Sequence, residues 1–360
     1  RQCFELLEKV YEHRYAPIPF TDFFWASRSM YLPLFALLLQ DYPPAELYHA
    51  VSAGYAGMIG AVASHRHHGG FILTEHGLYT REREEEIIKA QWVSGLFKPM
   101  WIRYFHSLSS AAYQCANPVV TLFRRNREMQ VELGCPPEKN RVIHNGVDLT
   151  ELEPIYRQVS SRIPGAEMNV GAIVRVVPIK DIKTMLKAFA HTRLKMPRLQ
   201  FWIMGPVEED PAYYEECVAY RDTLHLDNVT FTGLVKMAEY LGKMDLLVLT
   251  SISEGQPLAI LEGLACSLPF VATNVGDCAA LLLGEEDAYG PAGKVVSVMD
   301  AVGIGNGIVE LCQNDVRRRE YGENGCRRIR SEYTAAAVTH EYQALYQQVG
   351  EGIKNGRYRI

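Results

Sequence analysis

The chain has 360 residues, more than one hydrophobic core usually organises, so about two domains are expected. Hydrophobic residues make up 48% and charged residues 22%, a balance typical of globular proteins that excludes a disordered or fibrous chain. Lysine and arginine number 37, and aspartate and glutamate number 42. The net charge of −5 therefore offers no basic field that would favour nucleic acid or an anionic membrane.

The amino-terminal segment predicts a helix over residues 1–13 that begins at the first residue, so we expect the native protein to be longer at this end. The apolar stretch 31–39 has nine residues and contains Pro33, too few to span a bilayer. The eight cysteines are scattered singly, without the spacing of zinc ligands. This pattern predicts free, buried thiols in a reducing compartment.

The first half of the chain alternates short apolar runs with segments of helical periodicity. We predict strands at 47–51, 71–74 and 141–143, and helices at 29–40, 54–64, 92–108 and 121–133. A linker is predicted at 153–165, where Pro154, Pro164 and Gly165 interrupt any clear period.

The second half alternates strands and helices more regularly, and Asp181 is placed to cap one of the helices. The predicted strands are 169–176, 199–204, 229–231, 245–250 and 269–272. This rhythm predicts an open parallel sheet covered on both faces, with ligands at the carboxyl ends of the strands. The arginine clusters at 317–319 and 327–328 are expected on solvated helix faces.

The expected organisation is α/β, with two Rossmann-like domains facing each other across a cleft. The first domain covers 1–160 and is expected to be incomplete at its amino terminus. The second covers 161–330 and is expected to bind the nucleotide. A final helical segment, 331–360, is expected to pack back toward the first domain.

The most informative segment is 250–262, which follows a buried strand. Gly255 permits a tight turn and Pro257 suits the first turn of a helix, so free backbone N–H groups would face a ligand at the strand end. Glu254 and Glu262 lie eight residues apart on either side of the helix start. The alternative is plain helix capping, with Glu254 facing the helix dipole and Glu262 in solvent.

Arg175 interrupts an apolar strand, and Lys180 follows five residues later. Two cations and a helix amino terminus could hold a diphosphate without a metal ion. The chain has no Asp-x-Asp pair of the kind that binds divalent cations in metal-dependent sugar-nucleotide enzymes, and the acidic groups 208–210 and 285–287 are interpreted as loop charges. The alternative for Arg175 is an internal salt bridge.

Three features of the first half give weaker evidence for a functional site. His76 follows a strand end with polar neighbours, including Glu75, and a structural and a catalytic role are equally supported. Gly57 lies on a helix face with two other glycines, which allows close packing or close approach of a ligand. Asn145 follows the strand 141–143, either in a simple turn or at the cleft.

These segments, in this order and over nearly the whole chain, resemble the retaining glycosyltransferases of family 4, which have the GT-B fold. Segments 74–77, 205–211 and 249–261 also resemble, more narrowly, the cytoplasmic glycosyltransferases of Pel exopolysaccharide biosynthesis in biofilms. The resemblance implies a hexosyltransferase that uses a UDP-sugar and a glycan acceptor, with no metal or other cofactor. It also implies a cytoplasmic location, with any attachment to the inner membrane made through subunits of a polysaccharide synthase.

The resemblance assigns roles to individual residues. His76, Glu254, Arg175 and Lys180 would form the catalytic group, with both cations on the diphosphate, Glu254 on hydroxyls of the donor sugar and His76 at the transferred sugar. Glu262 would bind the ribose. The remaining donor-binding positions are Gly205, Gly233, Leu234, Val235, Gly255, Gln256, Pro257 and Leu258, and the positions on the acceptor side or in the cleft are Gly57 and Asn145.

Two other functions stay open from the sequence. A nucleotide-sugar 2-epimerase would share the architecture and release UDP without an acceptor. A non-catalytic subunit would bind the UDP-sugar and dock a membrane synthase. The Glu254/Glu262 pair together with Arg175 and Lys180 favours transfer, whereas the donor sugar, acceptor, linkage and oligomeric state are not determined by the sequence.

Overall fold

A computed structural model describes residues 2–161, 168–284 and 287–355. The chain divides into two compact units. Unit 1 contains residues up to Ile143 together with those from Gln343, and unit 2 runs from His144 to Tyr342. The division falls at 143/144, not at the predicted 160/161, and unit 2 extends beyond the predicted residue 330.

Unit 1 has helices packed on a four-stranded parallel sheet with the order β1-β2-β3-β4. β2 is buried along its whole length, as expected for a strand covered on both faces. In chain order the elements are α1 (Gln2–Arg14), α2 (Phe20–Leu39), β1 (Leu47–Ala50), α3 (Gly54–His67), β2 (Gly70–Glu75), α4 (Tyr79–Lys89), α5 (Lys98–Cys115), β3 (Val119–Thr121), α6 (Arg124–Glu132) and β4 (Asn140–Val142).

Two elements of unit 1 were not predicted. β3 has only three residues, too few to show a period, and it ends at residue 121, where the sequence predicted a helix to begin. α4 carries a run of charged residues and few apolar ones, so it lacks the stripe that indicates an amphipathic helix.

Unit 2 contains a six-stranded parallel sheet with the order β10-β9-β8-β5-β6-β7, which confirms the predicted doubly wound α/β fold. Its elements are α7 (Leu149–Ser161), β5 (Asn169–Ile173), α8 (Ile182–Lys195), β6 (Gln200–Met204), α9 (Pro211–Thr223), β7 (Val229–Gly233), α10 (Met237–Leu241), β8 (Leu246–Leu249), α11 (Leu258–Ala265), β9 (Phe270–Thr273), α12 (Cys278–Leu283), β10 (Gly293–Val296), α13 (Ala301–Gln313) and α14 (Asp315–Glu332).

The strand order of unit 2 reverses beside β5. From β5 the chain proceeds to β6 and β7 on one side, and then returns to place β8 on the other side of β5. The two crossovers leave a crevice at the carboxyl ends of these strands, the usual ligand position in open α/β sheets.

The predicted linker was wrong over most of its length. Residues 149–161 form α7, in which Ile155 is buried and Leu152 and Val159 pack on the same core. This helical spacing outweighs the interruption by Pro154. Residues 162–165 of the predicted linker lie outside the described residues.

The last helix, α15 (Ala335–Lys354), passes from unit 2 into unit 1 at residue 343. It falls within the segment 331–360 for which a carboxyl-terminal helix was predicted, of which residues 356–360 are not described.

The arginine clusters of α14 are not wholly solvated, contrary to expectation. Arg328 is 1% exposed, forms an ion pair with Asp287, and donates to the carbonyl oxygens of Leu281 (2.8 Å) and Gly290 (2.6 Å). Arg318 is also buried and is paired with Asp315. Buried guanidinium groups need such partners. The contacts of Arg328 hold α14 against the rest of unit 2, whereas the Arg318–Asp315 pair lies within α14. The acidic positions 285 and 286 fall outside the described residues.

The seven cysteines from Cys115 onward carry free thiols, as predicted, and all of these except Cys115 are buried. In the described part of the chain, no helix is both long enough and apolar enough to cross a membrane.

Candidate functional site

A cavity of about 450 Å³ lies at the carboxyl ends of β5, β6, β7 and β8 in unit 2. We call it the carboxyl-edge cavity. Its position beside β5, where the strand order reverses, is the one that the topology favours for a ligand. Nine predicted site residues line it: Arg175, Lys180, Gly205, Leu234, Val235, Glu254, Gln256, Pro257 and Leu258.

The charged centre of the cavity is an ion pair between Lys180 and Glu254. Lys180 Nζ lies 2.5 Å from Glu254 Oε1, and the two side chains are 15% and 12% exposed. Ser251 Oγ donates to the same carboxylate oxygen at 2.5 Å. The other oxygen, Oε2, has no hydrogen bond from a described residue. The pair therefore presents an ammonium group and one unused carboxylate oxygen to a ligand.

Arg175 also lines the cavity, but it is already paired. Its Nη1 donates to both carboxylate oxygens of Glu209, at 2.6 and 2.7 Å, and both side chains are about half exposed. This is the internal salt bridge considered as the alternative. Because only one nitrogen takes part, Nε and Nη2 of Arg175 form no hydrogen bond with the described residues and can still meet an anion.

The amino terminus of α11 closes one side of the cavity. Pro257 precedes the helix, and Pro257, Leu258 and Ala259 all line the cavity. The first N–H groups of a helix have no partner within it, so they carry partial positive charge toward a ligand. Gly205, with φ +150°, lies where β6 passes so close to Val174 that a Cβ would be 2.0 Å from its carbonyl oxygen.

Three predicted donor-binding residues do not line the cavity directly. Gly233 and Gly255 are chain neighbours of lining residues. Glu262 lies one turn into α11 and is half-buried, and its carboxylate forms no hydrogen bond or ion pair with a described residue. Burial alone raises the pKa of its carboxyl group.

Asn145 was predicted on the acceptor side or in the cleft. The structure places it in unit 2, bound to Gln256. The side-chain oxygen of Gln256 accepts from the Asn145 N–H at 2.6 Å, and Asn145 Nδ2 donates to the Gln256 carbonyl at 3.4 Å. The side chain of Gln256 is thus held by protein groups, although the residue borders the cavity.

The predicted residues of unit 1 have different surroundings. His76 is exposed at the end of β2 and forms no hydrogen bond with the described residues. Glu75 points inward, where Tyr113 (2.6 Å) and Gln130 (2.7 Å) donate to its carboxylate, and burial raises its pKa. Gly57 is buried, and a Cβ there would lie 2.7 Å from that of Ala112, so the structure supports its packing role.

One polar group in unit 1 was not anticipated. His49 lies 2.8 Å from Thr74 through Nε2 and 2.8 Å from Tyr346 through Nδ1, and burial lowers its pKa. The three residues come from β1, β2 and α15, so no local sequence pattern could have indicated the cluster. Among the residues that the structure describes, no three histidine, cysteine, aspartate or glutamate side chains are grouped as metal ligands would be.

Comparison with known families matches the two halves of the chain to two different family models. Residues 167–314 match the model of glycosyl transferases group 1, and residues 1–138 match a domain of unknown function, DUF3492. The residues that line the carboxyl-edge cavity all lie within the segment that matches the glycosyl transferases group 1 model.

The related proteins are also named for glycosyl transfer. The chain is 28% identical over 252 residues to N-acetyl-alpha-D-glucosaminyl L-malate synthase of Bacillus anthracis, covering 69% of this chain and 61% of that protein. It is 24% identical over 287 residues to the MMP alpha-(1->4)-mannosyltransferase of Mycolicibacterium hassiacum, covering 77% and 65%. The glycosyltransferase match thus spans less than two thirds of these relatives.

Solved structures share the fold. Anabaena HepE in complex with UDP superposes with a TM-score of 0.68 at 18% identity, covering 89% of this chain and 82% of that one. Sucrose-phosphate synthase from Thermosynechococcus elongatus gives 0.65 at 20% identity, covering 95% and 79%. Together with the two parallel sheets, this likeness confirms the predicted GT-B fold class.

Proposed function

We propose that the protein is a retaining glycosyltransferase that moves a sugar from a UDP-sugar to a growing exopolysaccharide without a metal ion. The observation that carries the proposal is the meeting of Lys180, Arg175 and the α11 amino terminus at one cavity, beside β5 where the strand order reverses. The group 1 family match and the likeness to a structure that holds UDP support the choice of donor.

The cavity suits a diphosphate leaving group. Lys180 supplies a compact charge, Arg175 can offer its unused nitrogens, and the first N–H groups of α11 point their dipoles at the same space. These groups stabilise the negative charge that develops on UDP as the glycosidic bond to phosphate breaks. Removing one of them is expected to cost about two to three powers of ten in rate, as for other fixed electrostatic contacts.

Glu254 is the proposed contact to the donor sugar. Its Oε1 is occupied by Lys180 and Ser251, which fixes the carboxylate and leaves Oε2 to accept from a sugar hydroxyl. In the front-face mechanism that we propose, the leaving phosphate itself takes the proton of the acceptor hydroxyl. The protein then supplies no nucleophile, and its task is to position two substrates.

For His76 we propose a part in transfer and not in nucleotide binding. It belongs to unit 1, is exposed at a strand end, and forms no hydrogen bond with the described residues. The resemblance of segments 74–77, 205–211 and 249–261 to the Pel glycosyltransferases supports a Pel-type exopolysaccharide as the product and a membrane synthase complex as the partner.

The first test is binding of UDP, UDP-glucose and UDP-N-acetylhexosamines by calorimetry in EDTA, with Arg175→Ala and Glu262→Ala as variants. The proposal expects UDP binding that both substitutions weaken. Nuclear magnetic resonance of the transfer product should show the anomeric configuration of the donor. UDP release with an epimerised free sugar would indicate a 2-epimerase, and donor binding without turnover would indicate a non-catalytic subunit.

A further inference from the structure

Gln256 is nearly inaccessible, at 5% exposure, and both ends of its amide are engaged. Its Oε1 accepts from the backbone N–H of Asn145 at 2.6 Å, and its Nε2 donates to Asp277 Oδ2 at 2.7 Å. Nε2 also lies 3.1 Å from Nδ1 of His144. The side chain therefore joins three stretches of unit 2 that are far apart in sequence.

The backbone of the turn before α11 is held from a second direction. The N–H of Asp277 donates to the carbonyl of Gly255 at 2.9 Å. Gly276, with φ +53°, approaches so closely that a Cβ would lie 2.1 Å from the same oxygen. The turn is thus clamped between the segment after β9 and the residues that begin unit 2.

The residues that begin unit 2 are themselves anchored. The Val147 N–H donates to the Tyr333 carbonyl and the Ala335 N–H donates to the Val147 carbonyl, both at 2.9 Å. The ring of His144 packs on that of Tyr333, with centroids 4.8 Å apart. Gln256 is therefore hydrogen-bonded to a segment that is itself held in place by backbone hydrogen bonds.

We propose that Gln256 is a positioning residue, whose amide holds the turn 254–258 so that the first N–H groups of α11 face the donor diphosphate. The inference rests on the proposed function, since it assigns to this side chain the preorganisation of that binding site. Gln256 does not touch the nucleotide through its amide, which is already occupied by protein groups.

The chemistry of the contact explains why the side chain is an amide. Asn145 needs an acceptor for its N–H, and the buried Asp277 carboxylate needs a donor. A methionine of similar size would remove both of these hydrogen bonds, and a glutamate would place a second carboxylate against Asp277. Only a group that both donates and accepts meets the two demands together.

The test compares the affinity for UDP with that for uridine, which lacks the diphosphate. UDP binding is measured by calorimetry and uridine binding by ligand-observed nuclear magnetic resonance. Gln256→Met is expected to weaken the affinity for UDP about 10-fold and to leave the affinity for uridine unchanged. Gln130→Met, a buried amide in unit 1 that binds Glu75, is the matched control and should change neither affinity.

Exchanging the amide and the carboxylate between positions 256 and 277 tests whether the UDP affinity can be rescued. Gln256→Glu alone should weaken UDP at least as much as Gln256→Met, whereas Gln256→Glu with Asp277→Asn restores a donor and an acceptor in exchanged places and should recover most of the affinity. If Gln256→Met does not fold, Asp277→Ala removes the same contact from the other side and should weaken UDP selectively.

Two results would overturn the inference while leaving the donor site in place. These are unchanged UDP affinity in both Gln256→Met and Asp277→Ala, or equal loss of UDP and uridine affinity. A wild-type protein that binds no UDP would instead refute the proposed function, and this inference with it.

Discussion

Replacing Lys180 by methionine should separate the stability of the carboxyl-edge cavity from its affinity for the donor. The substitution keeps most of the volume but removes the ammonium group, so the Glu254 carboxylate loses its ion-pair partner at a site where it is 12% exposed. Breaking a buried pair costs about 3–5 kcal/mol. We expect the lower end, about 3 kcal/mol, because Ser251 still donates to Glu254.

This loss has a measurable size. For a unit of this length, residues 144–342, each kcal/mol corresponds to about 2–4 °C in melting temperature, so Lys180→Met should melt roughly 6–12 °C lower. A charged hydrogen bond contributes about 1.5–3 kcal/mol, so UDP affinity should fall by roughly 10- to 150-fold. Differential scanning calorimetry and titration calorimetry on the same sample measure the two effects.

The double variant Lys180→Met/Glu254→Gln distinguishes the two effects. Removing the uncompensated carboxylate should recover most of the melting temperature, while UDP affinity stays at least about 10-fold below wild type. Lys183→Met is the matched control, because Lys183 pairs with Glu216 on the solvent-exposed side of α8, outside the cavity. Unchanged UDP affinity in Lys180→Met, or full recovery of affinity in the double variant, would show that the Lys180 ammonium group does not bind the donor.

Three further substitutions test individual side chains. Burial raises the pKa of Glu262, so folding favours its protonated form and the carboxylate costs stability as the pH rises above about 4. Glu262→Gln should therefore melt higher than wild type at pH 7–8 and equally at pH 4, while binding UDP more weakly; a lower melting temperature at pH 8 contradicts this account. Glu209→Gln should raise the affinity for UDP a few-fold in calorimetry, because the negative charge of Glu209 opposes a diphosphate. The half-exposed pair with Arg175 stabilises the fold little, so the substitution should leave the fold intact. Weaker binding would show that Glu209 instead orients Arg175. His76→Ala should abolish transfer in a product assay with UDP affinity unchanged, and full activity in this variant would exclude the role proposed for His76.

The sequence was enough to predict that these residues come together at one cavity, because this depends on local sequence signals and on the sheet topology. Lys180, Glu254 and Pro257 each follow a strand of one parallel sheet, and the carboxyl ends of such strands meet at one edge. The Gly255–Pro257 turn and the helix after it are likewise encoded in adjacent residues. This much of the cavity required no knowledge of distant contacts.

The direction of individual side chains was not predictable, because it depends on partners far along the chain. Arg175 is paired with a residue 34 positions away, and Gln256 with residues 111 and 21 positions away. Glu75 shares the polar appearance of its neighbours, yet turns into the core toward Tyr113. The linker was misassigned because proline and glycine were given more weight than the apolar spacing in α7.

The most direct measurement of the central claim is a crystal structure of the protein soaked with UDP. We expect the diphosphate in the carboxyl-edge cavity, within hydrogen-bonding distance of Lys180 Nζ and the Leu258 N–H. A second cavity of about 350 Å³, lined by Arg318, Arg319, Arg327 and Arg330, provides an internal comparison in unit 2. UDP bound among those arginines, or nowhere in unit 2 at saturating concentration, would contradict the account.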